Sequence, residues 1–237
     1  MATPEHNNYD CVFVNGDSYS DPTSGKSYGD FLAEHFGIPV ENFACRGSNN
    51  DRILRSTIEY MHSIEKKYKN PLVIIGWSFI RRIEVWYYGD YQKIIQMIPD
   101  SNQSRLITLD HIFYEGEATV EQKALINSDM NVHKQLTDFY TKLYLFGRLV
   151  ESFNWTYLCF SAAKNTDCPI DCFPYINSLD QVQWVAKNKN FYKLHNFCIK
   201  DWAFKNDEGC KPETGHLSES GHKKFSKYIL RNMLQNA

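Results

Sequence analysis

The stretch "CVFVNGDSYS", Cys11 to Ser20, decides how this chain is to be read. Cys11–Val14 is a short apolar run with the β-rich composition of a buried strand. It stops abruptly at Asn-Gly-Asp-Ser. A serine held between small and acidic residues just past a strand fits two roles. It caps the next segment, since Ser is a preferred helix N-cap, or it is a nucleophile presented at a strand end.

The residues that follow set the architecture. "SYGDFLAEHFG" places Tyr28, Phe31, Leu32 and Phe36 at helical spacing, with Gly37 as the stop. "PVENFA" reads as a second, short strand. From Ser48, "SNNDRILRSTIEYMHSIEKKYKN" carries Ile53, Leu54, Ile58, Met61 and Ile64 on one stripe behind polar capping residues. "PLVIIG", Pro71 to Gly76, is a continuous apolar strand. This β-α-β-α-β order, with strands apolar throughout, predicts a parallel sheet covered on both faces. The expected fold is α/β, a three-layer α/β/α sandwich with a central, mostly parallel, flavodoxin-like sheet, in a single domain over 1–237.

Beyond Gly76 the pattern loosens. Residues 80–128 are rich in aromatics and read as an insertion with little regular structure, a candidate lid. "NVHKQLTDFYTKLYLFGRLVESFN" predicts a long helix with Leu136, Phe139, Leu143, Phe146 and Val150 on its buried face. "WTYLCFSA" predicts the next strand. Residues 164–215, with Pro169, Pro174 and Pro212, read as loop-rich. The final segment, "LSESGHKKFSKYILRNMLQ", reads as a helix presenting Phe225, Ile229 and Leu230.

Composition excludes several classes. The 237 residues are 43% hydrophobic, enough for one sizeable core. The formal net charge of -2, with Lys and Arg scattered, gives no basic surface for nucleic acid. No run approaches the roughly 18 apolar residues of a membrane span. The first twenty residues lack the apolar core of a signal peptide, so a cytoplasmic location is expected. The seven Cys form an odd set, best read as reduced, buried thiols. The C-x3-C spacing of Cys168 and Cys172, with Cys198 and Cys210 downstream, is a weaker zinc reading.

Ligands of an open parallel sheet collect beyond the carboxyl ends of its strands. Those ends carry Gly16-Asp17-Ser18, Gly47-Ser48-Asn49-Asn50 and Gly76-Trp77-Ser78, and a further polar cluster, "PETGHLSESGH", precedes the last helix. A hydroxyl becomes a useful nucleophile only beside a base, itself steadied by a third group. Ser18 as nucleophile, His216 as base and Glu213 as the steadying carboxylate fit that need. The Ser18 and Gly47 amides fit as donors to the oxyanion.

These residues carry a resemblance. "VFVNGDSYS" resembles the first block of the SGNH hydrolases, also called GDSL esterases. "NFACRGSNN" is similar to their second block, "VIIGWS" stands where the third lies, and "ETGHLSESGHKKF" is similar to the fifth. The resemblance implies the SGNH hydrolase fold, with Ser18 as nucleophile, Gly47 as oxyanion donor and His216 as base. It implies ester substrates, small-molecule or glycan, and no metal or organic cofactor. Two positions depart from the family pattern. Ser78 replaces the third-block Asn that donates to the oxyanion, and Asn49 or Asn50 is a candidate to compensate. Glu213 replaces the Asp that orients the histidine, with Asp207 as fallback.

Blander readings stand beside these. Asn49 and Asn50 read as helix caps, Gly47 as a turn, Asp17 as a turn-shaping acceptor and His222 as a packing or capping residue. Arg81 and Arg82 suit either an anionic substrate or a structural cluster with Glu84. Trp86, Tyr87, Tyr88 and Tyr91 suit either a lid or core packing. The missing Asn also admits a weakened SGNH-fold protein that binds a glycan or protein partner without turnover.

Overall fold

The computed structural model describes residues 8–22, 25–80, 82–86, 106–109, 132–162, 173–194, 196–210 and 215–236. Its centre is a parallel sheet of β1 (Cys11–Gly16), β2 (Val40–Asn42), β3 (Pro71–Trp77) and β6 (Thr156–Ser161), in the order β2-β1-β3-β6. An isolated parallel bridge from Cys159 to Phe191 prolongs the sheet beyond β6. The helices are α1 (Tyr28–Phe36), α2 (Asn50–Ile64), α3 (Val132–Ser152), α4 (Pro174–Asn177), α5 (Asp180–Lys187), α6 (Ile199–Asn206) and α7 (Glu219–Tyr228).

The strands are apolar throughout because both faces are covered. Cys11, Phe13, Val73, Ile75, Trp77, Tyr157 and Cys159 pack with Ile53, Met61 and Ile64 of α2 and with Leu136, Phe139, Leu143, Phe146 and Val150 of α3. The alternate residues Val12, Val14, Leu72, Ile74, Leu158 and Phe160 pack with Tyr28 and Leu32 of α1, Ile199 and Ala203 of α6, and Phe225 of α7. Two cores on opposite faces of one sheet make the three layers that the strand composition requires. The fold is α/β with a parallel, helix-flanked sheet.

The stripe on α2 differs from the expected one. Ile58 is 38% exposed, and Thr57 takes the buried position. A polar residue in the strand is the cause. Asn15 of β1 is fully buried, and its amide donates to Thr57 Oγ1 and Ser56 Oγ, each at 2.9 Å. A buried amide needs partners, so the helix turns its hydroxyls inward at that level.

Within the aromatic-rich 80–128, β4 (Ile83–Trp86) pairs antiparallel with β5 (Leu106–Leu109), and residues 87–105 and 110–128 lie outside the described residues. The loop-rich residues 164–215 contain α4, α5 and α6, short helices of four to eight residues. The last helix also changes pitch, running from α7 into a π-helical turn over Ile229–Met233 that buries Ile229 and Met233.

The strand ends fix where a site can form. Gly16 and Gly76 are register partners across β1 and β3. A Cβ on Gly76 would lie 2.6 Å from Ser20 Oγ, and one on Gly16 would lie 2.5 Å from the same atom. The paired glycines therefore leave the space into which the turn after β1 folds the side chain of Ser20. Its hydroxyl accepts from Tyr28 Oη at 2.8 Å. Gly76→Ala should lower stability by roughly 1–3 kcal/mol through overpacking. In a Ser20→Ala background the loss should be much smaller. Urea unfolding of the four proteins checks this, and equal losses in both backgrounds would contradict it.

Candidate active site

The chain leaves β1 at Gly16 and turns at once, the Ser20 amide donating to the Asp17 carbonyl at 2.9 Å. This turn lies beside β3, where connections run to β2 on one side and to β6 on the other. Such a reversal of strand order opens a crevice beyond the carboxyl ends. Ser18 stands there, and its Oγ lies 2.8 Å from Nε2 of His216, 198 residues away in the chain.

His216 is delivered by the approach to α7. Leu217 is buried in the core, and Ser218 caps the helix by accepting from the Gly221 amide at 3.0 Å. Asp207, also buried, accepts from the Ser218 amide at 2.7 Å and its hydroxyl at 2.8 Å. A Cβ on Gly221 would fall 2.1 Å from Asp207 Oδ2, so the helix must present glycine to this carboxylate. Asp207 thus braces the loop that carries His216. Glu213 lies outside the described residues.

The electrostatic setting favours a neutral imidazole. Burial pushes the His216 pKa down, the Asp17 carboxylate pulls it up, and Arg46, Arg82 and Lys200 push it down again. A neutral ring with its proton on Nδ1 leaves Nε2 to accept from the Ser18 hydroxyl. The edge of one ring meets the face of the other where Tyr19 packs on His216, with centroids 4.9 Å apart.

The second loop is tied to the first. Beyond β2, Phe43 and Cys45 keep donating to Val14 and Gly16 of β1, and the Arg46 amide donates to buried Asp21 at 3.2 Å. Gly47 follows at φ 75°, the left-handed region, and a Cβ there would meet nothing within 4 Å. Backbone conformation, not crowding, is what selects glycine. Neither the Ser18 nor the Gly47 amide donates to another described residue.

The remaining polar residues at the strand ends have partners within the fold. Asn49 caps α2, its Oδ1 accepting from the Arg52 amide at 2.8 Å. Asn50 clamps the end of β3, accepting from the Ser78 amide at 2.8 Å and donating to the Ser78 carbonyl at 3.2 Å. The Ser78 hydroxyl donates to Asp17 Oδ2 at 2.7 Å. Ser78 thus directs its one hydroxyl hydrogen to Asp17, Asn50 donates to the Ser78 and Phe79 carbonyls, and Asn49 turns one of its two amide hydrogens to Asp51 at 3.4 Å.

Arg82, whose weight the sequence left undecided, lies within this cluster. Its guanidinium donates to Asp17 Oδ2 at 3.2 Å, Ser78 Oγ at 2.9 Å and the Ser48 carbonyl at 3.2 Å. Arg81, Tyr87, Tyr88 and Tyr91 lie outside the described residues, as do the side chains of Glu84 and Trp86. Cys168 and Cys172 lie outside them too. The other five cysteines are buried, with the Cys11 thiol pushed up to about 12 by burial and Cys198 accepting from the Asp201 amide at the start of α6. Among the described residues no group of His, Cys, Asp or Glu is placed to hold a metal ion, and no helix is long and apolar enough to cross a membrane.

With this geometry in place, comparison with known proteins adds a family. A family model described as "Family of unknown function (DUF6071)" matches residues 17–164. The chain belongs to that family. The match begins at Asp17, takes in β2, β3 and β6, and ends before His216. No curated protein matches the chain. Among solved structures it is similar to the psychrotrophic esterase EstA from Pseudoalteromonas sp., inhibited by monoethylphosphonate. The identity is 8% and the TM-score 0.48, over 95% of this chain and 97% of that one.

His222 shows how differently a second histidine of the same segment is used. Its Nδ1 accepts from the Tyr28 amide, at the start of α1, at 3.3 Å. Burial pushes its pKa down from 6.5 to about 4, against the pull of Asp207 and Asp30. The unfolded chain takes up this proton below about pH 6.5, whereas the folded protein resists until about 4. The contribution of His222 is therefore complete above 6.5 and disappears as pH falls toward 4. It amounts to on the order of 3 kcal/mol across that window. His222→Asn, which keeps an acceptor but cannot titrate, should show a flatter loss of urea stability between pH 7 and 4. Parallel losses in the two proteins would contradict this.

Proposed function

We propose that this protein is a serine hydrolase that cleaves a carboxylic ester, of a small molecule or a glycan, through an acyl-enzyme. The observation that carries the reading is the 2.8 Å contact between Ser18 Oγ and His216 Nε2 at the carboxyl ends of a parallel sheet. The lowered pKa of His216 supports a base that is neutral when substrate arrives. The order of the sequence blocks, which resembles that of the SGNH hydrolases, supports the same assignment.

In this reading His216 takes the Ser18 proton as Oγ bonds to the ester carbon. The carbonyl electron pair moves to oxygen, which accepts from the Ser18 and Gly47 amides. Collapse expels the alcohol, which leaves with the proton from His216. Water, deprotonated by the same imidazole, then attacks the acyl-enzyme, and Ser18 regains its proton as the acid departs. Glu213 is assigned the task of orienting His216. With Ser78 bonded to Asp17, the oxyanion has two amide donors and lacks the family's third. One such donor is worth about 2.7–4 kcal/mol, roughly 10²–10³ in rate, so a slow enzyme is expected. That same commitment of Ser78 favours the second reading, a protein that binds a glycan or protein partner without turnover.

A fluorophosphonate probe should label Ser18, with the adduct mapped by mass spectrometry. His216→Ala should slow labelling by roughly 10²–10⁴-fold, and hydrolysis of p-nitrophenyl acetate should exceed that of Ser18→Ala. Absence of both labelling and hydrolysis would leave the binding protein.

A further inference from the structure

Behind Ser18 lies a charged group that the hydrolytic scheme does not use. Asp17 is fully buried. Its Oδ1 accepts from the Tyr19 amide at 3.0 Å, and its Oδ2 accepts from Ser78 Oγ at 2.7 Å and Arg82 at 3.2 Å. Burial, the largest influence, leaves the carboxyl pKa raised, although Arg82, Ser78, the Tyr19 amide and His216 each pull it down. The contacts decide between the two. The Tyr19 amide and the Arg82 guanidinium can only donate, one to each oxygen, and the Ser78 hydroxyl is placed to donate as well, so the anion is the form that fits.

Ser78 is thereby redirected. Its hydroxyl has one hydrogen, which goes to Asp17, while its oxygen accepts from Arg82 at 2.9 Å. Arg82 is 12% exposed and also holds the Ser48 carbonyl, next to Gly47. One guanidinium thus links the ends of β1 and β3 to the turn that presents Gly47.

We propose that Ser78 and Arg82 are positioning residues that act through Asp17, fixing its carboxylate behind Ser18 as the counter-charge for the imidazolium that forms on His216 in acyl transfer. This rests on the hydrolase reading for its role in turnover, though not for the charge relation itself. The third block then contributes a buried anion's support where a family member contributes an amide to the oxyanion. Among the described residues, the charges that act on His216 are Asp17, Arg46, Arg82 and Lys200, with His222 also coupled to it, and of these Asp17 favours its protonated form.

The test is a set of variants, Asp17→Asn, Ser78→Ala, Arg82→Gln and the doubles Asp17→Asn/Ser78→Ala and Asp17→Asn/Arg82→Gln, each checked for folding by circular dichroism. The second double removes the buried pair together, so that no lone charge is left in the interior. Two readouts are taken: the NMR titration midpoint of His216, and the pH profile of Ser18 labelling by a fluorophosphonate. Asp17→Asn should move the midpoint about one pH unit lower and reduce the labelling plateau roughly tenfold, and its profile should shift to lower pH. A merely structural role would lower the plateau without moving the midpoint. Ser78→Ala and Arg82→Gln should each slow labelling in the parent protein and add little further loss in the Asp17→Asn background.

An unmoved midpoint in Asp17→Asn would overturn the proposal. So would full additivity of Ser78→Ala with Asp17→Asn, which would mean that Ser78 reaches the oxyanion directly. Failure of the parent protein to label at any pH would instead sink the hydrolase reading, while the titration would still report on the charge relation.

Discussion

A carboxylate removed from water must be met by donors, and Asp17 is met by three of them, from its own turn and from the segment after β3. That requirement ties together segments far apart in the chain. The turn after β1 supplies the Tyr19 amide, the end of β3 supplies Ser78, and the following residues supply Arg82. Arg82 then reaches back to Ser48 at the entry to α2. Asn50 closes the same circle by gripping the backbone of Ser78. The upper edge of the sheet is therefore held as one unit, and Ser18 sits on it with little freedom to drift.

The opposite partner is positioned by different means. His216 has its place because Leu217 is anchored in the core, because Ser218 starts α7, and because Asp207 holds Ser218. His222, six residues on, faces the start of α1 and is neutral for the sake of packing. Both imidazoles are shifted toward neutrality by burial. Only one of them meets a hydroxyl at a strand end, and the proposed role of His216 rests on that difference.

Much of this was legible in the sequence because apolar periodicity records burial directly. The strands Cys11–Gly16 and Pro71–Trp77 are buried on both faces, so composition alone marks them. The placement of Ser18 past a strand and of His216 before a helix was legible from the same patterning, and the structure brings their side chains within 2.8 Å. What escaped detection depended on partners distant in the chain. Thr57 displaces Ile58 from the buried face because Asn15, on another element, needs hydroxyls. Ser78 reads as a donor to substrate until Asp17 is seen to take its hydrogen. The Arg81-Arg82 pair was visible, but its partner was not, since nothing local marks Asp17 as the carboxylate that Arg82 meets. The short helices within 173–206 run for only four to eight residues, too short for their apolar spacing to stand out.

The central claim is that Ser18 and His216 form one reactive unit held against the sheet edge. A crystal structure of the protein after reaction with an alkyl phosphonofluoridate tests it most directly. The account predicts phosphorus bonded to Ser18 Oγ, a phosphonyl oxygen accepting from the Ser18 and Gly47 amides, and His216 Nε2 within hydrogen-bond reach of the adduct. Density on another nucleophile, or an adduct on Ser18 with His216 turned away and the Gly47 amide pointing elsewhere, would contradict it.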